Sequence, residues 1–233
     1  MSMQLAERYA SIEAEVRRLS VEAGRQPDEV TVMGVSKTVG LDAVAEAIGA
    51  GVHDFGENRP EELARKHDAF PDERWHFIGN IQSRQLRHVV GRAVLIHSLY
   101  KIDHARKIDS IARDSGIVQH VLIEVNDGEE NKQGLSADDL LDMLMVCESL
   151  DNVQVDGLMT MAARSDADAA RHTFESLRKL RDGIVEQLVA QGVDDMPLRE
   201  LSMGMSDDYR LAIPEGSTIV RIGRAIFSDE YQG

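Results

Sequence analysis

A lysine that directly follows an apolar, β-branched run is placed for amine chemistry. Lys37 stands in this way after the run at 30–35. At the mouth of a barrel, partial desolvation favours the neutral amine, and a neutral amine is what Schiff-base formation with an aldehyde requires. From position alone, Lys37 also reads as a strand-end lysine that reaches solvent, so other loops must decide. Two of them have the marks of a phosphate site: Leu201-Ser202-Met203-Gly204-Met205-Ser206-Asp207-Asp208 and Arg221-Ile222-Gly223-Arg224. Gly204 and Gly223 let the backbone approach a ligand, Ser202 donates a hydroxyl, and Arg221 and Arg224 bring positive charge. Ser206 with its two acids also reads as a helix cap, and the arginines as surface ion pairs. Neither of those readings accounts for both glycines.

Such groups act together only if the chain brings its strand ends to one side. Short β-branched runs alternate with amphipathic segments along all 233 residues, the pattern of repeated βα units on a parallel sheet. The sequence predicts strands at 30–35, 54–56, 75–78, 94–97, 120–125, 155–159, 198–202 and 218–222. Helices are predicted at 41–49, after Pro60, around 85–90, and at 102–115, 137–150 and 168–191, with an extra amphipathic helix in residues 1–19. About eight such repeats close an α/β barrel, so the expectation is a single (β/α)₈ TIM-barrel domain over residues 1–233. An open doubly wound sheet is the alternative, since periodicity does not say whether a sheet closes.

In such a barrel the functional groups gather where strands end. Besides Lys37, the predicted ends offer Glu57 and Asn58, the run Gly79 to Gln82, Asn126, Thr160 and Ser202. Other chemistries find little support. A net charge of -15 repels phosphate backbones and anionic lipid, so no nucleic-acid or membrane partner is expected. No apolar signal segment or membrane-spanning run is visible, which predicts a soluble, cytoplasmic protein. The only cysteine, Cys147, lies in an apolar helical run and reads as structural. The eight histidines lack metal-ligand spacing, and His76, His97 and His120 fall singly within strands as structural residues. The methionines at 143, 145, 159, 161, 203 and 205 read as core. No nucleotide-binding or nucleophile-elbow motif occurs.

Taken in order, several runs resemble the pyridoxal phosphate homeostasis proteins, which are similar to the barrel half of fold-type III enzymes such as alanine racemase. They are Val35-Ser36-Lys37, Phe55-Gly56-Glu57-Asn58, Trp75-His76-Phe77-Ile78-Gly79 with Gln82, and Val125-Asn126 with Asn131-Lys132-Gln133-Gly134. Gly157-Leu158-Met159, the 201–208 loop, Arg221-Ile222-Gly223 and Ala225-Ile226-Phe227 complete the set. The resemblance implies pyridoxal 5'-phosphate held as a Schiff base on Lys37, with Asn58 near the ring. It gives the phosphate to Ser202, Ser206 and the backbone N–H groups of Gly223 and Arg224, and the pyridine nitrogen to Arg221. A guanidinium there opposes ring protonation and weakens the electron sink. The implied function is maintenance of intracellular vitamin B6 by holding the cofactor without robust catalysis. Dependent apoenzymes are the expected recipients, and the protein is expected as a monomer or weak dimer.

The chain departs from the family pattern at Arg59-Pro60, at Ser83-Arg84-Gln85, at Ser228 and at Arg224, where threonine is usual. A small racemase or decarboxylase using the same cofactor is the alternative function. A barrel binding some other phosphate ester, with Lys37 only a charge, is a third. Racemisation needs a second acid-base group, which related racemases draw from a further domain and a partner subunit. At its length this chain is not expected to carry that domain.

Overall fold

A computed structural model describes residues 4–126, 133–162, 166–193, 196 and 198–231. The Asn131-Lys132 part of the fifth-strand motif and the first three residues of the expected amino-terminal helix lie outside the described residues. The β-branched runs become strands β1 (Thr31–Val35), β2 (Asp54–Glu57), β3 (Arg74–Phe77), β4 (Leu95–Leu99), β5 (Gln119–Glu124), β6 (Val153–Met159), β7 (Glu200–Met205) and β8 (Ile219–Ile222). Each pairs in parallel with the next. β1 also pairs with β8, Met33 opposite Arg221, so the sheet closes into a (β/α)₈ barrel. The open-sheet alternative is thereby excluded.

The helices are α1 (Leu5–Glu22), α2 (Leu41–Gly49), α3 (Pro60–Ala69), α4 (Ile102–Asp114), α5 (Leu140–Glu148), α6 (Ala167–Ala190), α7 (Tyr209–Ala212) and α8 (Arg224–Phe227). Their starts follow from local chemistry. Pro60 takes the first turn of α3, where its missing N–H costs nothing, with Glu61 and Glu62 beside it against the helix dipole. Asp166 caps α6 by accepting from the N–H groups of Asp168 and Ala169. The helix expected around 85–90 is instead a 3₁₀ helix over Ser83–His88, a six-residue turn that buries only Leu86 of its side chains.

Most of the apolar core fills the layer between sheet and helices. Inside the barrel the apolar cluster is small: Met33, Leu95, Leu122, Met159 and Ile219, with Ile78 packed on it. The rest of that interior is polar, and it underlies the site described below. α1 buttresses the same end of the barrel. Arg8 donates to the carbonyl of Ile226 at 2.8 Å and pairs with Asp229. Glu15 accepts from Arg210 at 2.8 and 2.9 Å and from the Tyr209 hydroxyl at 3.1 Å. Among the described residues no helix is long and apolar enough to cross a membrane.

Candidate functional site

At the carboxyl ends of the strands lies a cavity of about 260 Å³, near the lower bound for small-molecule sites. Lys37, Asn58, Ser206, Arg221, Gly223 and Arg224 all line it, so six of the seven expected site residues come together. Glu124, Gln133, Met159, Met161 and Met205 complete much of its wall. Met161 and Met205 are therefore site residues rather than the core filling their pattern suggested. Lys37 lies beyond the end of β1, exposed at the cavity mouth. Its amine makes no hydrogen bond or ion pair among the described residues and is open to a partner in the cavity.

What fixes Lys37 is the residue before it. Ser36 is fully buried, and its carbonyl accepts from Lys66 Nζ at 2.8 Å. Lys66 also meets Glu57 Oε1 at 2.5 Å, and the Ser36 hydroxyl donates to that same carboxylate oxygen at 2.9 Å. Both charged side chains are buried, at 1% and 0% exposure, so this ion pair lies wholly out of water directly behind Lys37. Glu57 was an expected strand-end residue. Lys66 was missed, although it continues the buried register Pro60, Leu63, Lys66 of α3. Gly79 holds the neighbouring wall, because a Cβ there would sit 2.0 Å from the Asn58 carbonyl oxygen. Only glycine lets the β3 loop close on Asn58.

Ser202 is the exception among the expected residues. β7 runs to Met205, three residues past its expected end, so Ser202 lies within the strand opposite Met159. Its side chain is fully buried beneath Arg221 rather than at the phosphate loops. Arg221 Nη1 donates to Ser202 Oγ at 2.7 Å and Nη2 to the Thr160 carbonyl at 2.8 Å. Beyond Ser202 the polar interior continues: Oγ lies 2.8 Å from His97 Nδ1, His97 Nε2 lies 2.9 Å from His76 Nδ1, and His76 Nε2 donates to Asp54 Oδ1 at 2.9 Å. Burial first, and then its neighbours His76 and Arg221, hold His97 well below the usual imidazole range. Burial brings the Arg221 guanidinium down to about 10, so it stays charged at neutral pH.

The remaining loop residues divide between ligand and scaffold. Gly204 does not open the backbone to a ligand as expected: it is buried at φ 93°, and a Cβ there would lie 2.8 Å from Ala212 Cβ. Its missing side chain lets β7 pack on α7. Gly223 does line the cavity, with the Val35 carbonyl 3.3 Å from where a Cβ would stand. Ser206 does not cap α7. Its hydroxyl accepts from the N–H of Ala225 at 3.3 Å, while Asp208 accepts from the N–H of Met205 at 2.5 Å. The Arg224 guanidinium pairs with Asp207 and lies over the Tyr231 ring at 5.5 Å.

Outside the cavity, Cys147 is buried in apolar surroundings that push its thiol up to about 12. No cluster of metal ligands occurs among the described residues.

The barrel and its lysine-bearing mouth define a class, and the comparisons agree with it: the family model described as "Alanine racemase, N-terminal domain" matches residues 8–230. Alanine racemase of Clostridium difficile 630 shares the fold at a TM-score of 0.68 and 17% identity, over 94% of this chain and 58% of that one. Much nearer is a pyridoxal phosphate homeostasis protein of Aquifex aeolicus, 37% identical over 97% of this chain and 99% of its own. PipY of Synechococcus elongatus, solved with PLP bound, superposes at a TM-score of 0.85 with 32% identity, over 97% of this chain and 100% of its own. The chain belongs to the pyridoxal phosphate homeostasis protein family.

Proposed function

We propose that this protein binds pyridoxal 5'-phosphate in the barrel-mouth cavity, holds it covalently through Lys37, and serves intracellular vitamin B6 homeostasis as a carrier rather than as an amino-acid enzyme. The observation that carries the reading is one cavity with an uncommitted lysine amine, a buried guanidinium and a serine-glycine loop pair on its walls. That donor set fits the group: an amine for the aldehyde, a cation for the ring nitrogen, and small residues with N–H donors for the phosphate. A family member 32% identical over its whole length was solved with PLP bound. When bound, the cofactor supplies an aldehyde carbon that takes a lysine amine with loss of water.

The protein's own groups do the rest. Ser206, Gly223 and the Arg224 backbone cradle the phosphate, and Asn58 borders the ring. Ser202 acts through Arg221 instead of touching phosphate, because its hydroxyl is already engaged beneath that side chain. Arg221 stays a cation through the neutral range and opposes protonation of the ring nitrogen. This supports the carrier reading over a small racemase or decarboxylase. Cytoplasmic residence, a monomer or weak dimer, and delivery to dependent apoenzymes belong to the same proposal.

The test is Lys37→Ala. The variant should keep its far-UV circular dichroism and lose the borohydride-reducible adduct together with its visible absorption. An adduct of unchanged stoichiometry would move the chemistry to another lysine and defeat the proposal for Lys37.

A further inference from the structure

Four hydrogen bonds, of 2.9, 2.9, 2.8 and 2.7 Å, join Asp54 through His76, His97 and Ser202 to Arg221. Asp54 opens β2 at the amino-terminal end of the barrel, with a fifth of its side chain exposed. The three residues between it and Arg221 are buried. The chain thus connects the floor of the barrel to the cavity at its mouth, beside the interior cluster of Met33, Leu95, Met159 and Ile219. Nothing in the binding reading requires it, since a buried arginine at the cavity needs partners only within its own reach.

The chemistry of the two ends sets the direction of the whole chain. A guanidinium only donates and a carboxylate only accepts. His76 must therefore present N–H at Nε2 to Asp54, which in a neutral ring leaves Nδ1 as an acceptor. His97 must then carry its proton on Nε2, so its Nδ1 accepts, and the Ser202 hydroxyl donates to it. Ser202 Oγ remains free to accept from Arg221. Every bond is made once, and every hydrogen points from mouth to floor. A proton added to either imidazole would reverse the links above it and leave Ser202 accepting from both sides, its hydroxyl hydrogen without a place in the chain.

We propose that Asp54, His76, His97 and Ser202 form one oriented hydrogen-bond chain that fixes the Arg221 guanidinium from the barrel floor and thereby keeps the ring nitrogen of the bound cofactor unprotonated. The clause about the ring rests on the cofactor reading above; the orientation of the chain does not. Asp54, His76 and His97 are positioning residues. The charged groups that face them are Arg74, which donates to Asp54 at 2.9 Å, and Arg221 itself, with Asp208 and Glu124 acting on it. His120, Asp156 and Glu200 border the hollow outside Asp54.

Two readouts test this separately. In the apoprotein, histidine side-chain ¹⁵N shifts should report His76 and His97 both as neutral Nε2–H tautomers, with His97 unchanged between about pH 5 and 8. Asp54→Ala removes the acceptor that pins the series. The His97 shifts should then move toward a tautomer mixture although two hydrogen bonds separate the sites. A purely structural role for Asp54 would leave them unmoved, and an Nδ1–H tautomer of His97 in the unmutated protein would overturn the orientation. In the loaded protein, cofactor labelled with ¹⁵N in its ring should show an unprotonated nitrogen. In Asp54→Ala, and in His97→Phe if it folds, that nitrogen should become easier to protonate by at least about tenfold, one pH unit. An identical ring-nitrogen titration in Asp54→Ala would refute the link to the cofactor. Normal tautomers in a protein that takes up no cofactor would instead refute the binding reading and leave the chain standing.

Discussion

Replacing Lys66 with methionine should cost this protein several kcal/mol of stability, and the cost should largely vanish when Glu57 is neutralised with it. Lys66 and Glu57 are 1% and 0% exposed and 2.5 Å apart. In Lys66→Met the Glu57 carboxylate would stay buried with only the Ser36 hydroxyl at 2.9 Å and the Asn58 N–H at 3.3 Å to solvate it. Leaving one member of a buried pair uncompensated costs about 3–5 kcal/mol, a large share of the roughly 5–15 kcal/mol that holds a typical domain together. Glu57→Gln with Lys66→Met buries no charge, so the double variant should recover about 2 kcal/mol or more of the single loss. Urea unfolding followed by circular dichroism, with equal m-values, reads both numbers. The Ser36 carbonyl also loses its 2.8 Å donor in the single variant. Lys37 should then be less well held, and the borohydride-reducible adduct should form more slowly at saturating cofactor. A loss below about 1 kcal/mol in Lys66→Met, or a double variant no more stable than the single, would refute the claim that this pair is dry and coupled.

If the serine-glycine loops cradle phosphate, pyridoxal without it should bind at least about tenfold more weakly, a loss of 1.4 kcal/mol or more, and Ser206→Ala should cost about 1 kcal/mol by equilibrium dialysis; equal affinity for the two ligands would mean the loops are misread. His97 carries an acid-sensitivity prediction. Its folded pKa is depressed by burial first and then by its neighbours His76 and Arg221, so below about pH 6.5 the unfolded chain binds a proton that the folded one refuses. Stability should therefore fall with decreasing pH below about 6.5 by up to about 1.4 kcal/mol per unit from this residue alone, and stay flat on its account above, which unfolding in His97→Gln checks by losing that slope. The loaded protein should exchange the α-proton of alanine in deuterated water no faster than free cofactor at matched concentration. Turnover of even about 1 per second would restore the enzyme reading.

Much of the barrel was legible because βα repetition is a long-range pattern that single residues rarely spoil. α2, Leu41–Gly49, lies where its periodicity puts it, and Pro60 opens α3 as the missing N–H demands. The misses fall where a short segment carries little pattern. Ser83–His88 buries one side chain and settles for a 3₁₀ turn, and β7 continues through Ser202-Met203-Gly204-Met205, where the polar residue and the glycine read as a loop.

That misplaced strand end is also why the site was only half legible. Residues at a barrel mouth announce themselves: Lys37, Asn58, Ser206, Gly223 and Arg224 lie at or just past strand ends and need only the rule that strand ends meet. The groups beneath them sit inside the runs. Arg221 and Ser202 were named from the sequence but as loop residues, whereas Arg221 shares the inward face of β8 with Ile219 and Ser202 lies within β7; His76 and His97, which interrupt β3 and β4, read only as structural. In one strand each polar residue looks like an isolated flaw in an apolar series. Their meaning depends on which neighbours they meet across the interior, and that is set by strand order, shear and closure, none of which alternation encodes. Lys66 is the instructive intermediate case. Its place in the Pro60-Leu63-Lys66 register already says that a lysine is buried, and burial of a lysine already demands a carboxylate. Only the geometry of α3 against β2 says that the carboxylate is Glu57, and that the same amine grips the residue next to Lys37. A charged residue in an apolar register is therefore a positive signal for a supporting contact beneath a site, and here it marks the one α3 side chain that reaches the backbone next to Lys37.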